Sequence, residues 1–263
     1  MEKNQVLKSI AKTEDKLLIS KIIDKAEKAV RHKCYSYTDF LDPYQRNLIE
    51  KFLMPQADIK IVFNGGYEGA ERAIAILCPD FMFEDNISGQ EIPLKIVQVK
   101  VHHRNSLSHR DYLGALMSLG IKREKIGDIL VKEDFCSIVA LSDIADYINY
   151  NLLRIGKFEV ENEIKEISSL QPDEPKVKEI NTTIASLRVD CVASAGFGIS
   201  RTKIAEFIKA EKLNLNWEKT NSLTRQVKEG DTISIKGKGR VVLETVGRTT
   251  KKGRIGILLK KYI

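Results

Sequence analysis

Cysteine is scarce and scattered. Cys34, Cys78, Cys136 and Cys191 fit no Cys-x-x-Cys spacing, so neither a zinc knuckle nor a paired redox motif is expected. Each reads as a small buried hydrophobe in a reducing cytoplasm. Histidine is as sparse: His32, His102, His103 and His109. Adjacent strand residues point to opposite faces, so His102 and His103 would not converge on one ion, and no metal is expected. No apolar run approaches about 20 residues, which argues against a membrane helix. The opening MEKNQVLKSIAKTEDK is too polar for a secretory signal. Glycine-rich nucleotide loops are missing as well. HRDYLG at 109–114 shares letters with a kinase catalytic loop, but Ala115 and Leu116 follow where its asparagine belongs, and no D-F-G or G-x-G-x-x-G occurs. No cofactor is expected.

Positive charge is what the chain has, and it is unevenly placed. Residues 181–263 hold 17 Lys and Arg against 7 Asp and Glu, while residues 1–180 hold 26 against 29. The overall +7 therefore comes from the last third. That asymmetry points to a polyanion-binding module on a near-neutral body. A length of 263 residues is enough for two domains or three small ones.

Apolar residues at helical spacing predict a helix over 13–32. A second helix is expected from Pro43, with Asp42 as cap and Gln45 at the capping-box position. A strand running into a turn is expected over 59–66 and a strand over 73–78, together a hairpin, then strands at 92–101, 127–131 and 136–141. Helices are expected at 108–120, capped by Ser108 or His109, and at 142–156, stopped by Gly156. KFEVENEIKEI follows as a last strand. The order strand, helix, strand, strand, helix, strand suits an α+β layer with helices on one side of a sheet. The polar SSLQPDEPKVKE reads as a linker. Beyond it come a short strand, TTIASLR, a two-turn helix capped by Asp190, and a helix capped by Ser200. The second helix buries Ile204, Phe207 and Ile208 and leaves Arg201 and Lys203 at its margins. Strands and turns complete the chain.

SLRVDCVASAGFGISRTKIAEFIKAEKLNLN followed by VKEGDTISI resembles the S4 RNA-binding domain. It departs at Glu211, where that family usually has glycine, and at Asn216-Trp217, where Asn-Gly is usual. YTDFLDPYQRNLIEKFL, FNGGYEGAERAIAIL and HRDYLGALMSLGIKREKIGDI, in that order, resemble the YlmH family of bacterial S4-domain proteins. The resemblance implies an α+β multidomain protein: an N-terminal α/β domain over 1–80, an RNA-recognition-like α+β domain over 81–167, a linker over 168–179 and a basic S4 domain over 180–263. It implies no catalysis and binding to rRNA of the large ribosomal subunit obstructed by peptidyl-tRNA, alongside other factors of ribosome-associated quality control. A cytoplasmic, ribosome-associated monomer without a membrane contact is expected. S4 modules also accompany pseudouridine synthases, the alternative reading; the aspartates weighed for that chemistry, Asp39, Asp42 and Asp111, each have an ordinary capping or turn explanation.

The expected RNA-binding residues are Arg188, Ser200, Arg201, Thr202, Lys203, Lys209, Lys212, Lys236, Lys238 and Arg240. Unpaired amides at a helix start suit a phosphate oxygen, and an arginine beside them adds a forked cation. Asp190 is a cap or an orienter of Arg188. KGKGR (236–240) and TTKKGR (249–254) read as phosphate-approaching turns or as plain hairpin tips. Arg104, His109 and Arg110 form a candidate secondary contact. Tyr35 and Tyr37 either stack on a base or pack a helix junction. GGYEG (65–69) lies between strands, unlike the helix-joining loop of a KH domain.

Overall fold

The computed structural model describes residues 3–54, 59–85, 92–101, 107–173, 177–250 and 253–262. It divides into two compact units, Met1–Pro172 and Asp173–Ile263. Among the described residues no helix is long and apolar enough to cross a membrane.

The first unit opens with α1 (Lys3–Lys8) and α2 (Thr13–His32). Ile19, Ile22, Ile23, Ala26 and Ala29 recur every three or four residues, so they share the buried face of α2. Strand β1 (Ser36–Tyr37) precedes α3 (Pro43–Phe52). α3 starts as its sequence dictates. The Gln45 amide donates to the Asp42 carboxylate at 2.8 Å, the Asp42 amide donates to the Gln45 side chain at 2.9 Å, and Pro43 fills the first position. β2 (Ile59–Asn64) and β3 (Ile74–Pro79) pair antiparallel, with β1 on the far side of β3. Ile19, Ile23, Ile49 and Leu53 cover this sheet at Ala75 and Leu77.

The second half of the unit is a five-stranded antiparallel sheet. Its elements are β4 (Leu94–Val101), α4 (His109–Ser118), β5 (Ile126–Val131), β6 (Phe135–Leu141), α5 (Ser142–Asn151), β7 (Arg154–Ile155) and β8 (Phe158–Glu166), with strand order β5-β6-β4-β8-β7. Tyr112 and Leu116 of α4 and Ala145 and Ile148 of α5 pack on Val97, Val99 and Ile138, so both helices lie on one face. The other face closes on the first sheet, where Phe40, Ile74 and Ile76 meet Leu94, Val139 and Leu141. Gly127 permits that approach, because a Cβ there would stand 2.6 Å from the Phe40 ring. The helix expected over 142–156 ends at Asn151; Arg154–Ile155 instead turns back at Gly156 and pairs with Phe158 and Glu159. Tyr35 and Tyr37 take the packing alternative. Both lie partly buried against the cluster around Phe40, and the Tyr35 hydroxyl donates to the Met82 carbonyl at 3.2 Å.

The second unit begins with β9 (Val177–Ile184), longer than the short strand expected and starting within the segment expected as a linker. α6 (Val189–Phe197) and α7 (Arg201–Lys209) follow, then β10 (Leu213–Leu215), β11 (Glu218–Lys219), β12 (Thr232–Ile235), β13 (Gly239–Thr249) and β14 (Ile255–Tyr262). The sheet runs β11-β10-β12-β13-β14-β9. Val192, Ala193, Ile204 and Ile208 from the helices meet Val241, Leu243, Ile257 and Leu259 from the sheet in one core. Gly196 lets α6 come close, since a Cβ would lie 2.7 Å from Val241. Gly198, φ +67°, ends α6 in the left-handed region, and Ser200 opens α7 by accepting from the Lys203 amide at 3.3 Å.

Candidate nucleic-acid interface

The starts of α6 and α7 meet at one buried carboxylate. The sequence pattern makes Asp190 the cap of α6, but Arg188 holds the cap position and Asp190 lies within the first turn. Its side chain is only 4% exposed. It accepts from Arg188 Nε and Nη2, each at 3.2 Å, from Arg201 Nε at 3.0 Å, from Arg201 Nη2, and from the Cys191 amide at 3.0 Å. Burial alone would raise its pKa, but the hydrogen bonds from Arg201 and Arg188 outweigh burial and hold it below the usual carboxylate range. The carboxylate stays charged and fixes two guanidinium planes. Arg201 is 53% exposed and Arg188 34% exposed, so both also face solvent. The strand-like segment around Arg225 braces the site: the Val189 amide donates to the Arg225 carbonyl and the Val227 amide to the Leu187 carbonyl, both at 2.8 Å.

The remaining expected residues are spread more widely. Ser200, Thr202 and Lys203 are exposed on the first turn of α7, where Lys203 pairs with Glu206 at 2.6 Å. Lys209 and Lys212 lie at the other end of this nine-residue helix, about 13 Å away at 1.5 Å per residue. There the Lys236 amide donates to the Lys212 carbonyl at 2.9 Å, which brings the Lys236–Lys238 turn alongside. Arg240 belongs elsewhere. Its neighbour Val241 faces the helices, so strand alternation turns Arg240 to the helix-free side of the sheet, where its guanidinium stacks 4.3 Å from the Tyr262 ring centre. The ten expected residues thus fall into three groups.

In the first unit, Arg104, His102 and His103 lie outside the described residues. His109 and Arg110 are exposed at the start of α4. Partial burial, and then the nearby positive charge of Arg123, push the His109 pKa below its ordinary value. Beside it lies an arrangement that no local motif announces. Asp128 accepts from the Tyr67 hydroxyl at 2.7 Å and from the Glu71 and Arg72 amides at 2.8 and 3.1 Å. Arg72 donates to the carbonyls of Ile126 and Phe40, and Arg123 to those of Ile126 and Gly127. The GGYEG loop is therefore clasped to the five-stranded sheet, and the signal for that clasp is long-range. Among the described residues no three His, Cys, Asp or Glu side chains gather as a metal site.

Comparison with known proteins matches three successive segments of the chain. Residues 14–81 match the family model "YlmH, N-terminal", and residues 89–169 match "Putative RNA-binding domain in YlmH". Residues 178–262 match the C-terminal domain of mitochondrial transcription rescue factor 1. A curated relative, ribosome-associated protein quality control protein P2 of Bacillus subtilis, is 34% identical over 220 residues, which cover 82% of this chain and 83% of that protein. A solved structure, cell division protein ylmH from Streptococcus pneumoniae, aligns with TM-score 0.51 at 20% identity, over 63% of this chain and 98% of its own, and so shares the fold.

Proposed function

The chain belongs to the YlmH family, and on that premise we propose that it is a non-catalytic RNA-binding protein acting in ribosome-associated quality control. It binds rRNA of the large ribosomal subunit when peptidyl-tRNA obstructs that subunit, and works there with other quality-control factors in the cytoplasm. The observation that carries this reading is the pair Arg188 and Arg201, fixed by one buried carboxylate at the start of α7 on a module of net charge +10 (17 cations against 7 acids over residues 181–263). Structured RNA is recognised largely through shape, phosphates and 2′-hydroxyls, so a rigid basic surface suits it better than a base code does. Pre-fixed guanidinium planes lose little freedom when a phosphate arrives. Asp190 orients both arginines; Lys209, Lys212, Lys236 and Lys238 extend the positive surface from the far end of α7. His109 and Arg110 form a second, weaker contact.

The aspartates considered for synthase chemistry each have another partner: Asp39 pairs with Lys125 at 2.8 Å, Asp42 caps α3, and Asp111 accepts from the Ser108 amide at 2.7 Å. The test is binding of purified large subunits by the full chain and by its Arg188→Ala/Arg201→Ala variant, from low to high salt. Removing two phosphate contacts lowers the log-affinity versus log-salt slope by about 1.4 to 1.8. A folded variant with wild-type affinity and slope refutes the assignment.

A further inference from the structure

The end of the β13–β14 hairpin has no place in the reading above, yet its chemistry is unusual. From Thr245 onward the chain carries Arg248, Lys251, Lys252, Arg254, Lys260 and Lys261 and no acid. Gly247 and Gly256 lie side by side across the hairpin, where a Cβ on Gly247 would stand 3.4 Å from the Gly256 carbonyl oxygen. Ile257, the neighbour of Gly256, is buried in the core, so Gly256 faces the helix-free side, next to Thr183 of β9. The two glycines leave a patch of bare backbone in the sheet.

This patch is held stiffly. Val246 and Ile255 pack against the core below it. Arg254 is tied to β9, with Nε donating to the Thr183 hydroxyl at 2.9 Å and Nη2 donating to the Thr183 carbonyl. The turn closes through the Thr250 amide to the Arg254 carbonyl at 2.7 Å. At its root Glu229 accepts from the Val246 amide, and Glu244 pairs with Lys260 at 2.8 Å. Arg248 is exposed, and among the described residues its side chain has no partner.

We propose that this glycine-floored hairpin end is a second RNA-backbone contact of the C-terminal unit. Arg248 and the outward nitrogens of Arg254 take phosphate oxygens, and bare backbone with the Thr183 hydroxyl takes a ribose 2′-hydroxyl. Glycine serves here because no Cβ keeps the ribose away. A fork already anchored at one edge presents its remaining donors without further ordering. The inference rests on the RNA-binding reading but uses residues that the reading does not.

The experiment titrates the full chain with a fluorescein-labelled RNA stem-loop and with the DNA stem-loop of the same sequence, from low to high salt. Arg248→Ala removes one phosphate contact and lowers the salt slope by about 0.8. Gly256→Val adds a side chain whose Cβ comes only within 3.5 Å of the Arg248 carbonyl, an ordinary contact, so the sheet holds. It weakens RNA binding several-fold and narrows the gap between RNA and DNA. Combined with Arg188→Ala/Arg201→Ala, the Arg248→Ala effect adds in free energy, as for separate contacts. Circular dichroism confirms folding, and Arg248→Ala stands alone should Gly256→Val misfold. If Arg248→Ala keeps wild-type affinity and slope while Arg188→Ala/Arg201→Ala loses both, the hairpin contact is refuted and the earlier reading survives. A wild-type chain that ignores the stem-loop overturns both.

Discussion

Replacing Glu211 by glycine should stabilise the C-terminal unit. Glu211 follows α7 at φ 53°, in the left-handed region. Two hydrogen bonds define the stop: the Glu211 amide donates to the Ile208 carbonyl at 3.0 Å and the Lys212 amide to the Phe207 carbonyl at 2.9 Å. That is the Schellman arrangement, whose left-handed position glycine fills without strain. A residue with a Cβ costs about 1–2 kcal/mol there. Against that gain, glycine gives up the Glu211–Lys219 ion pair at 2.8 Å, whose side chains are 70% and 67% exposed, so that solvent screens most of its attraction. The net gain is about 1 kcal/mol, which raises Tm by roughly 4–8 °C for a unit of this size. Trp217 is the single tryptophan and lies in this unit, so its fluorescence follows the relevant transition in the intact protein. Glu211→Ala is the control, because it keeps the left-handed cost and removes the ion pair. If Glu211→Gly melts no higher than Glu211→Ala, backbone strain at this stop is not limiting and the reasoning fails.

Other outcomes follow from the same geometry. Asp190→Asn leaves two arginines without their charge partner and costs about 1–3 kcal/mol, less than for a fully buried pair because both arginines reach solvent; urea titration measures it. Because the Asp190 pKa is lowered in the folded state, its contribution is complete above the unfolded value of about 3.9 and is lost as pH falls through the folded value. Wild-type stability should therefore drop below about pH 4 more steeply than that of Asp190→Asn. Ile204→Ala empties a fully buried site and should cost about 2–5 kcal/mol in the C-terminal unit, seen as early loss of the Trp217 transition. Gly127→Ala pushes a methyl into the Phe40 ring and should cost about 1–3 kcal/mol in the first unit, leaving the Trp217 transition in place.

Local signals carried most of the elements. The α3 cap was legible because Asp42, Pro43 and Gln45 each do one local job at fixed spacing. The end of α5 was not. Ile148, Leu152 and Ile155 keep helical spacing and are all buried, but the chain leaves the helix at Leu152 and buries Ile155 from a strand. β9 resembled a linker because its first residues, Val177, Lys178 and Glu179, are exposed on an edge strand and carry no apolar alternation. At the candidate site, Arg188 and Arg201 were visible as types at a helix start. Their joint hold on Asp190 spans an 11-residue separation from Asp190 to Arg201, which no periodicity encodes. The side of the sheet on which Arg240 lies was readable in principle, since Val241 and Leu243 alternate with it. The joint core of Phe40, Ile76, Leu94 and Val139 depends on which faces meet, and pattern alone leaves that open.

The place of β14 has a kinetic consequence. It lies between β13 and β9, and its register sets Ile184 beside Ile255 and Val177 beside Tyr262. α6 and α7 are neighbours in sequence and can dock early. β9 cannot join until a loop of about 70 residues closes, an ordering that costs roughly 4 kcal/mol before the edge strand returns any contact. The helix pair that carries Arg188 and Arg201 is thus assembled from nearby residues, while the sheet beneath it waits on a distant one. Because that final pairing sets the two ends of the unit side by side, a permuted chain that joins them by a short turn and opens elsewhere would turn the slow search into a hairpin and fold faster.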